Sequence, residues 1–182
     1  MNLTITRRAA LLGAAALMAL PAFAQNFPSR PIKIIVAFNP GGTADTISRL
    51  YGQKMSELLN TPVVIENKPG ANQITAIRAL MASPPDGYTL YAATASSLIQ
   101  NPALRPGLPY DPLKDFTLVG MAATNPGLIF VSPALPIRNI KELVAYGQAN
   151  PGKLNYGSAG LGTAGHLAAE ALMSAPGLKM TH

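Results

Sequence analysis

The chain has no cysteine among its 182 residues, and this absence removes disulfide bonds, thiolate metal sites and a cysteine nucleophile together. Histidine is nearly as scarce. Only His166 and His182 occur, with no acidic partner at a recognisable spacing, so general-base or metal chemistry has little material and none is expected. Charged residues make up only 12% of the chain against 48% hydrophobic, which argues against disorder and provides a core to hold an uncrosslinked fold. No run of Lys and Arg with interleaved aromatics is present, so nucleic-acid binding has no support. Motifs of phosphate and acyl chemistry are missing as well. No P-loop lysine follows Gly42, and neither Ser96 nor Ser158 stands in a Gly-x-Ser-x-Gly context.

The first residues read as an export leader rather than as part of the fold. Arg7 and Arg8 precede an apolar run from Ala9 to Leu20, and Ala22-Phe23-Ala24 offers a small-x-small cleavage site before Gln25. Residues 1–24 are therefore expected to be a signal peptide that sends the protein to the periplasm. The apolar run is short for a bilayer span, so a retained anchor is the lesser reading. The Arg pair also resembles a twin-arginine signal, although Ala10 stands where a bulky apolar residue is usual. Of the 14 basic residues these two leave with the leader, so 12 face 8 acidic ones in the exported chain. A mildly positive field of this size helps to attract a small anion without identifying it.

From Arg30 onward apolar β-type runs alternate with helical patterns, the mark of βαβ units and a mostly parallel sheet. A strand is expected over Ile32 to Phe38, then a helix from Ala44 to Leu59 whose stripe of Ile47, Leu50, Tyr51, Met55 and Leu58 reads as core. Pro62 to Asn67 reads as a buried parallel strand. A helix over Gln73 to Ala82 should turn Ile74, Ile77, Leu80 and Met81 inward, and Tyr88 to Ala93 is the third strand. Asn101 to Asp115, with Pro102, Pro106, Pro109 and Pro112, looks like a crossing segment without helix or strand, between a first lobe over 25–100 and a second over 116–182. Phe116 to Ala122 and Leu128 to Val131 read as two further strands. Asn139 and Glu142 form a capping box for a helix to about Ala149, with Ile140, Leu143 and Val144 facing inward. Leu154 to Tyr156 is a strand, Ala168 to Met173 falls in a helix, and Gly177 to Met180 begins another strand. Ending at Thr181-His182 predicts a second lobe that is incomplete.

Three loops carry the functional reading. The first strand empties into Phe38-Asn39-Pro40-Gly41-Gly42-Thr43-Ala44-Asp45, where the glycines permit close backbone approach and a helix start leaves amides facing a crevice. Such a turn suits a carboxylate, although any strand-to-helix turn can carry glycines. The third strand delivers Thr94-Ala95-Ser96-Ser97 at its carboxyl end, as ligand contacts or as a helix cap. The third loop, Gly157 to His166, repeats the first in the second lobe, with Ser158, Gly160, Gly162 and Thr163 as donors. Two such loops on separate lobes could grip one small anion from both sides.

The ordered set Pro28-Ser29-Arg30-Pro31-Ile32, Pro40-Gly41-Gly42 with Asp45, Glu66-Asn67-Lys68-Pro69-Gly70-Ala71, Pro85-Asp86-Gly87-Tyr88-Thr89-Leu90, Asn101-Pro102, Tyr110-Asp111-Pro112 with Asp115-Phe116, Pro151-Gly152-Lys153-Leu154 and Gly162-Thr163 with His166-Leu167 resembles the Bug or TctC-type solute receptors of tripartite tricarboxylate transporters. The resemblance implies a two-lobed α/β, Venus-flytrap fold that closes on a small carboxylate and hands it to integral-membrane transporter subunits. It implies a monomer without cofactor or catalysis. Carried over by position, it makes Phe38, Asn39, Pro40, Gly41, Gly42, Thr94, Ser96, Ser97, Ser158, Gly160, Gly162 and Thr163 the ligand contacts. Asp45 and His166 order their loops, since a carboxylate beside an anion would repel it. Asn72-Gln73 stand where the family commonly has further glycines. Two other readings compete: an α/β enzyme that uses the same loops for an anionic substrate, and a truncated receptor without function.

Overall fold

The computed structural model describes residues 27–174 and 177–182; the expected leader and its cleavage site lie outside them. Strand β1 (Ile32–Val36) is the centre of a three-stranded parallel sheet, flanked by β2 (Val63–Asn67) and β3 (Thr89–Ala92). Its central place explains its composition. Ile32, Ile35 and Val36 are almost fully buried, and each buried Ile contributes about 1.5–3 kcal/mol relative to exposure. Ile35, Ala37 and Ala76 form a core joined by Phe38, Ala79, Leu80 and Tyr91. Lys33, the exposed residue of β1, reaches Glu66 on β2 at 2.8 Å.

Helix α1 (Thr43–Leu59) packs on β1 and β2 through small residues. Its buried positions are Asp45, Ser48 and Gly52, and a Cβ at Gly52 would stand 3.1 Å from Ile65 Cδ1. This corrects the expected core stripe. Leu50, Tyr51 and Leu58 are exposed, because close helix–sheet contact is possible only on the face where no bulky side chain intervenes. Tyr51 instead donates to the carbonyl of Ala122. Strand β2 is half-buried rather than buried, since it lies at the sheet edge and Val64 faces out.

Helix α2 (Ile74–Met81) buries Ala76 and Ile77 and leaves Met81 exposed, so Met81 is not core. It begins one residue later than expected, because Gln73 has a left-handed backbone at φ 76°. After β3, a π-helical turn (Ser96–Gln100) runs into the short helix α3 (Asn101–Leu104), so the proline-rich segment starts helical. Pro102 is compatible with this because it sits in the first turn, where its missing N–H has no helical partner to lose.

The expected strands at Phe116 to Ala122 and Leu128 to Val131 are not strands. Their sequences have β propensity, but among the described residues no ladder partner lies beside them, and Leu118, Val119 and Phe130 are exposed. The second unit contains α4 (Ile140–Ala149), β4 (Leu154–Asn155), α5 (Ala164–Met173) and β5 (Met180–Thr181), with β4 and β5 paired in parallel. Ile137, Leu143, Leu154 and Leu178 form its core, whereas Ile140 is exposed. The cap of α4 is as the sequence reads: Glu142 N–H donates to Asn139 Oδ1 at 3.0 Å, and the Glu142 carboxylate accepts from Asn139 Nδ2 at 2.8 Å.

Candidate functional site

Because β1, β2 and β3 run parallel, their carboxyl ends share one edge, and three loops gather there: 38–42, 68–73 and 93–95. This edge is where open α/β sheets take ligands. In the first loop Gly41 has φ 87°, a conformation open to glycine, and Gly42 is the extended residue before α1. The Gly41 amide donates to Asp45 Oδ2 at 2.9 Å. Asp45 Oδ2 also accepts from Arg49 Nε, and Oδ1 accepts from Asn67 Nδ2, both at 2.9 Å. The Asn67 amide spans on to the Phe38 carbonyl at 3.0 Å. Asp45 is thus buried beneath its loop and tied on three sides. Donation by Arg49, by Gly41 N–H and by Asn67 holds its carboxyl well below the usual carboxylate range.

The second unit repeats this construction. Gly162 has φ 76°, Thr163 is the extended residue before α5, and the Gly162 amide faces Nδ1 of His166 at 3.4 Å, again four residues along. His166 Nε2 lies 3.6 Å from Glu170 Oε1, four residues along the same helix, which corrects the expectation that this histidine has no acidic partner at a recognisable spacing. Glu170 Oε1 also accepts from Tyr156 at 3.0 Å.

The hydroxyls named from sequence are spent within the protein. Thr94 Oγ1 donates to Gln73 Oε1 at 2.9 Å, Ser96 Oγ to Gln100 Oε1 at 2.7 Å, Ser97 Oγ to the Thr94 carbonyl at 2.9 Å, and Thr163 Oγ1 to the Gly160 carbonyl at 2.7 Å. Ser158 Oγ lies 2.7 Å from His182 Nε2 and accepts from Gly160 N–H at 3.2 Å. Donors remain at the helix starts. The first helical bonds are Thr46 N to Gly42 O in α1 and Leu167 N to Thr163 O in α5. The amides of Thr43, Ala44 and Asp45, and of Ala164, Gly165 and His166, therefore precede the ladders.

The two glycine bends do not touch each other at these positions. A Cβ at Gly41 or Gly160 would meet nothing within 4 Å, whereas one at Gly162 would stand 3.3 Å from Asn72 Nδ2 and 3.7 Å from Leu104 Cδ1. The second unit thus meets the first at the 68–73 loop and α3. Asn72 and Asn101 brace that junction: Asn72 Nδ2 donates to Asn101 Oδ1, and Asn101 Nδ2 donates to the Asn72 carbonyl, both at 2.8 Å. Arg49, Asn67, Gln73 and Asn101 were missed as site residues. Asn67 and Asn101 stand in recognisable motifs, Arg49 lies at helical i,i+4 spacing from Asp45, and only Gln73 carries no local signal, since it meets Tyr91 and Thr94 through the fold. Among the described residues, no group of three His, Asp or Glu could hold a metal ion, and no helix is long and apolar enough to cross a membrane.

Two α/β units of parallel strands, with glycine bends opening onto helix starts, are the architecture of the class of periplasmic binding proteins, represented by the solved BugD at 28% identity and a TM-score of 0.69. The chain belongs to the TctC family, described as tripartite tricarboxylate transporter family receptor, which matches residues 47–182. A UPF0065 protein of Bordetella pertussis is 40% identical over 181 residues, covering 98% of this chain and 55% of that protein. Rpa4515 of R. palustris, solved with adipate, is 33% identical with a TM-score of 0.80, covering 86% of this chain and 52% of that one. MatC from Rhodopseudomonas palustris, with bound malate, is 30% identical with a TM-score of 0.70, covering 85% and 53%. The chain spans about half the length of these relatives.

Proposed function

We propose that this chain serves a periplasmic solute receptor that binds a small carboxylate and delivers it to the membrane subunits of a tripartite tricarboxylate transporter. The observation that carries this reading is the pair of glycine bends, each locked by the fourth residue beyond it and each ending at a helix start with unladdered amides. Such donors grip an anion without placing a full positive charge in the site. The solved relatives with adipate and with malate support dicarboxylates as the ligand class. Ligand contacts fall to the Phe38-Asn39-Pro40-Gly41-Gly42, Thr94–Ser97 and Ser158–Thr163 loops, the Gly41 amide being held by Asp45 and Pro40 carrying no N–H, with Asp45 and His166 as loop-ordering residues. Catalysis has no place in this reading: the site combines ordered amides with engaged hydroxyls and lacks an activated nucleophile. Export by the leader 1–24, cleavage before Gln25, a first lobe to residue 100 and a crossing segment over 101–115 complete it.

Calorimetric titration and thermal shift of the purified chain with a panel of mono-, di- and tricarboxylates, adipate and malate included, provide the test. At least one acid should raise the melting temperature in a concentration-dependent way. A chain that is folded by circular dichroism and indifferent to every acid overturns the reading.

A further inference from the structure

Residues 70 to 73 hold an unusual backbone. Gly70, Ala71, Asn72 and Gln73 all have positive φ, at 126°, 47°, 47° and 76°. Glycine accepts this region freely and Asn tolerates it, but Ala71 and Gln73 are strained there, and strain of this kind persists only where surrounding contacts enforce it. Asn72 is fixed by Asn101, as described above. Gln73 is fixed by two hydroxyls: its Oε1 accepts from Tyr91 OH and from Thr94 Oγ1, each at 2.9 Å. Burial keeps the Tyr91 hydroxyl protonated, its pKa pushed up to about 12, so it remains a donor at any physiological pH.

This clamp orients the carboxamide and leaves its other end unused. Gln73 is 98% buried, and its Nε2 has no hydrogen-bond partner although water cannot reach it. A buried donor without an acceptor costs free energy, and the strained backbone adds to that cost. The group follows the end of β2 in the chain, is bonded to Tyr91 and Thr94 at the end of β3, and stands beside Asn72, where the second unit touches the first. Junctions of this kind are common ligand positions.

We propose that the Gln73 carboxamide is a ligand-gripping side chain, held by Tyr91 and Thr94 so that its Nε2–H donates to a carboxylate oxygen of the bound acid. This rests on the receptor reading and adds a directed side-chain donor to a site otherwise made of backbone amides. It also makes residue 73 a determinant of which acid fits, because the carboxamide fixes both the depth and the angle at which the oxygen must arrive.

The test uses the parent chain and two variants. In the parent, the side-chain NH2 resonances of Gln73, assigned by their loss in Gln73→Met, should shift when the tightest-binding dicarboxylate of the panel is added. Gln73→Glu keeps an acceptor for Tyr91 and Thr94 but turns the free donor into an anionic oxygen. Gln73→Met keeps the length and removes the donor together with the acceptor of Tyr91 and Thr94. Both should weaken binding of that dicarboxylate by about tenfold or more. Should Gln73→Glu fail to fold, Gln73→Met and the parent resonances decide. Unmoved Gln73 resonances at saturation, or folded Gln73→Met with parental affinity, overturn the proposal while leaving the receptor reading intact. A parent chain that binds no acid overturns both.

Discussion

The backbone amide of Gly41 donates to the carboxylate of Asp45 at 2.9 Å, so the first bend is held by the helix that it precedes. Asp45→Ala should leave that amide without its acceptor and release Arg49 and Asn67. The expected outcome is faster hydrogen exchange at Gly41, a lower melting temperature and weaker carboxylate binding, although Asp45 touches no ligand in the proposed site. Asp45→Asn retains an acceptor for Gly41 and should have the milder effect. Parental exchange at Gly41 in Asp45→Ala would show that the bend holds itself.

Acid should loosen the first unit. Asp45 titrates below its ordinary value of 3.8 through donation by Arg49, Gly41 and Asn67, and Glu66 is lowered by Lys33 and Lys68. In both cases the unfolded chain takes the proton more readily than the folded one. Their contribution is fully present above the unfolded values, about pH 4–5, and is lost as pH falls through the folded ones. Melting temperature followed from pH 7 to pH 2 should decline below about pH 4, and Asp45→Asn should flatten that decline. Tyr91 acts in the opposite direction. Its raised pKa of about 12 contributes stability below the unfolded tyrosine value of about 10 that is lost as pH climbs from there towards 12.

Removing the cap of α4 should be a local loss. Asn139→Ala deletes the acceptor of Glu142 N–H and the donor to its carboxylate, which should cost about 1 kcal/mol in urea unfolding. Asn139→Ser, which keeps an acceptor without setting a second carboxylate beside Glu142, should recover most of it.

The second core makes a sharper demand. A Cβ at Gly147 would lie 2.2 Å from Leu178 Cδ1 and 3.3 Å from Leu154 Cδ1, so Gly147→Ala should cost about 1–3 kcal/mol by overpacking. In a Leu178→Ala background the same substitution should cost far less. Strict additivity of the two would mean that Leu178 is not what excludes a side chain at 147.

Local chemistry was legible in the sequence and distant partnership was not. The Asn139–Glu142 box, the glycine bends and the strand of Ile32 to Val36 are set by neighbours in the chain, and all are present. The stripe of Leu50, Tyr51 and Leu58 has helical spacing, yet periodicity defines a face without saying whether a sheet will accept it. Ser48 and Gly52 won that contact by being small. Segments 116–122 and 128–131 have strand composition, but a strand exists only where another lies beside it. Gln73 read as an ordinary first helical residue. Its left-handed backbone and its clamp by Tyr91 and Thr94, 18 and 21 residues away, depend on the assembled sheet.

The four-residue spacing from Gly41 to Asp45 recurs from Gly162 to His166, and it assigns the entropy of loop ordering to folding instead of to capture. A guest then meets donors that are already aimed. Affinity is thereby made hostage to the first turns of α1 and α5, and a change that frays either turn should slacken the hold from a distance, with no contact to the guest at all.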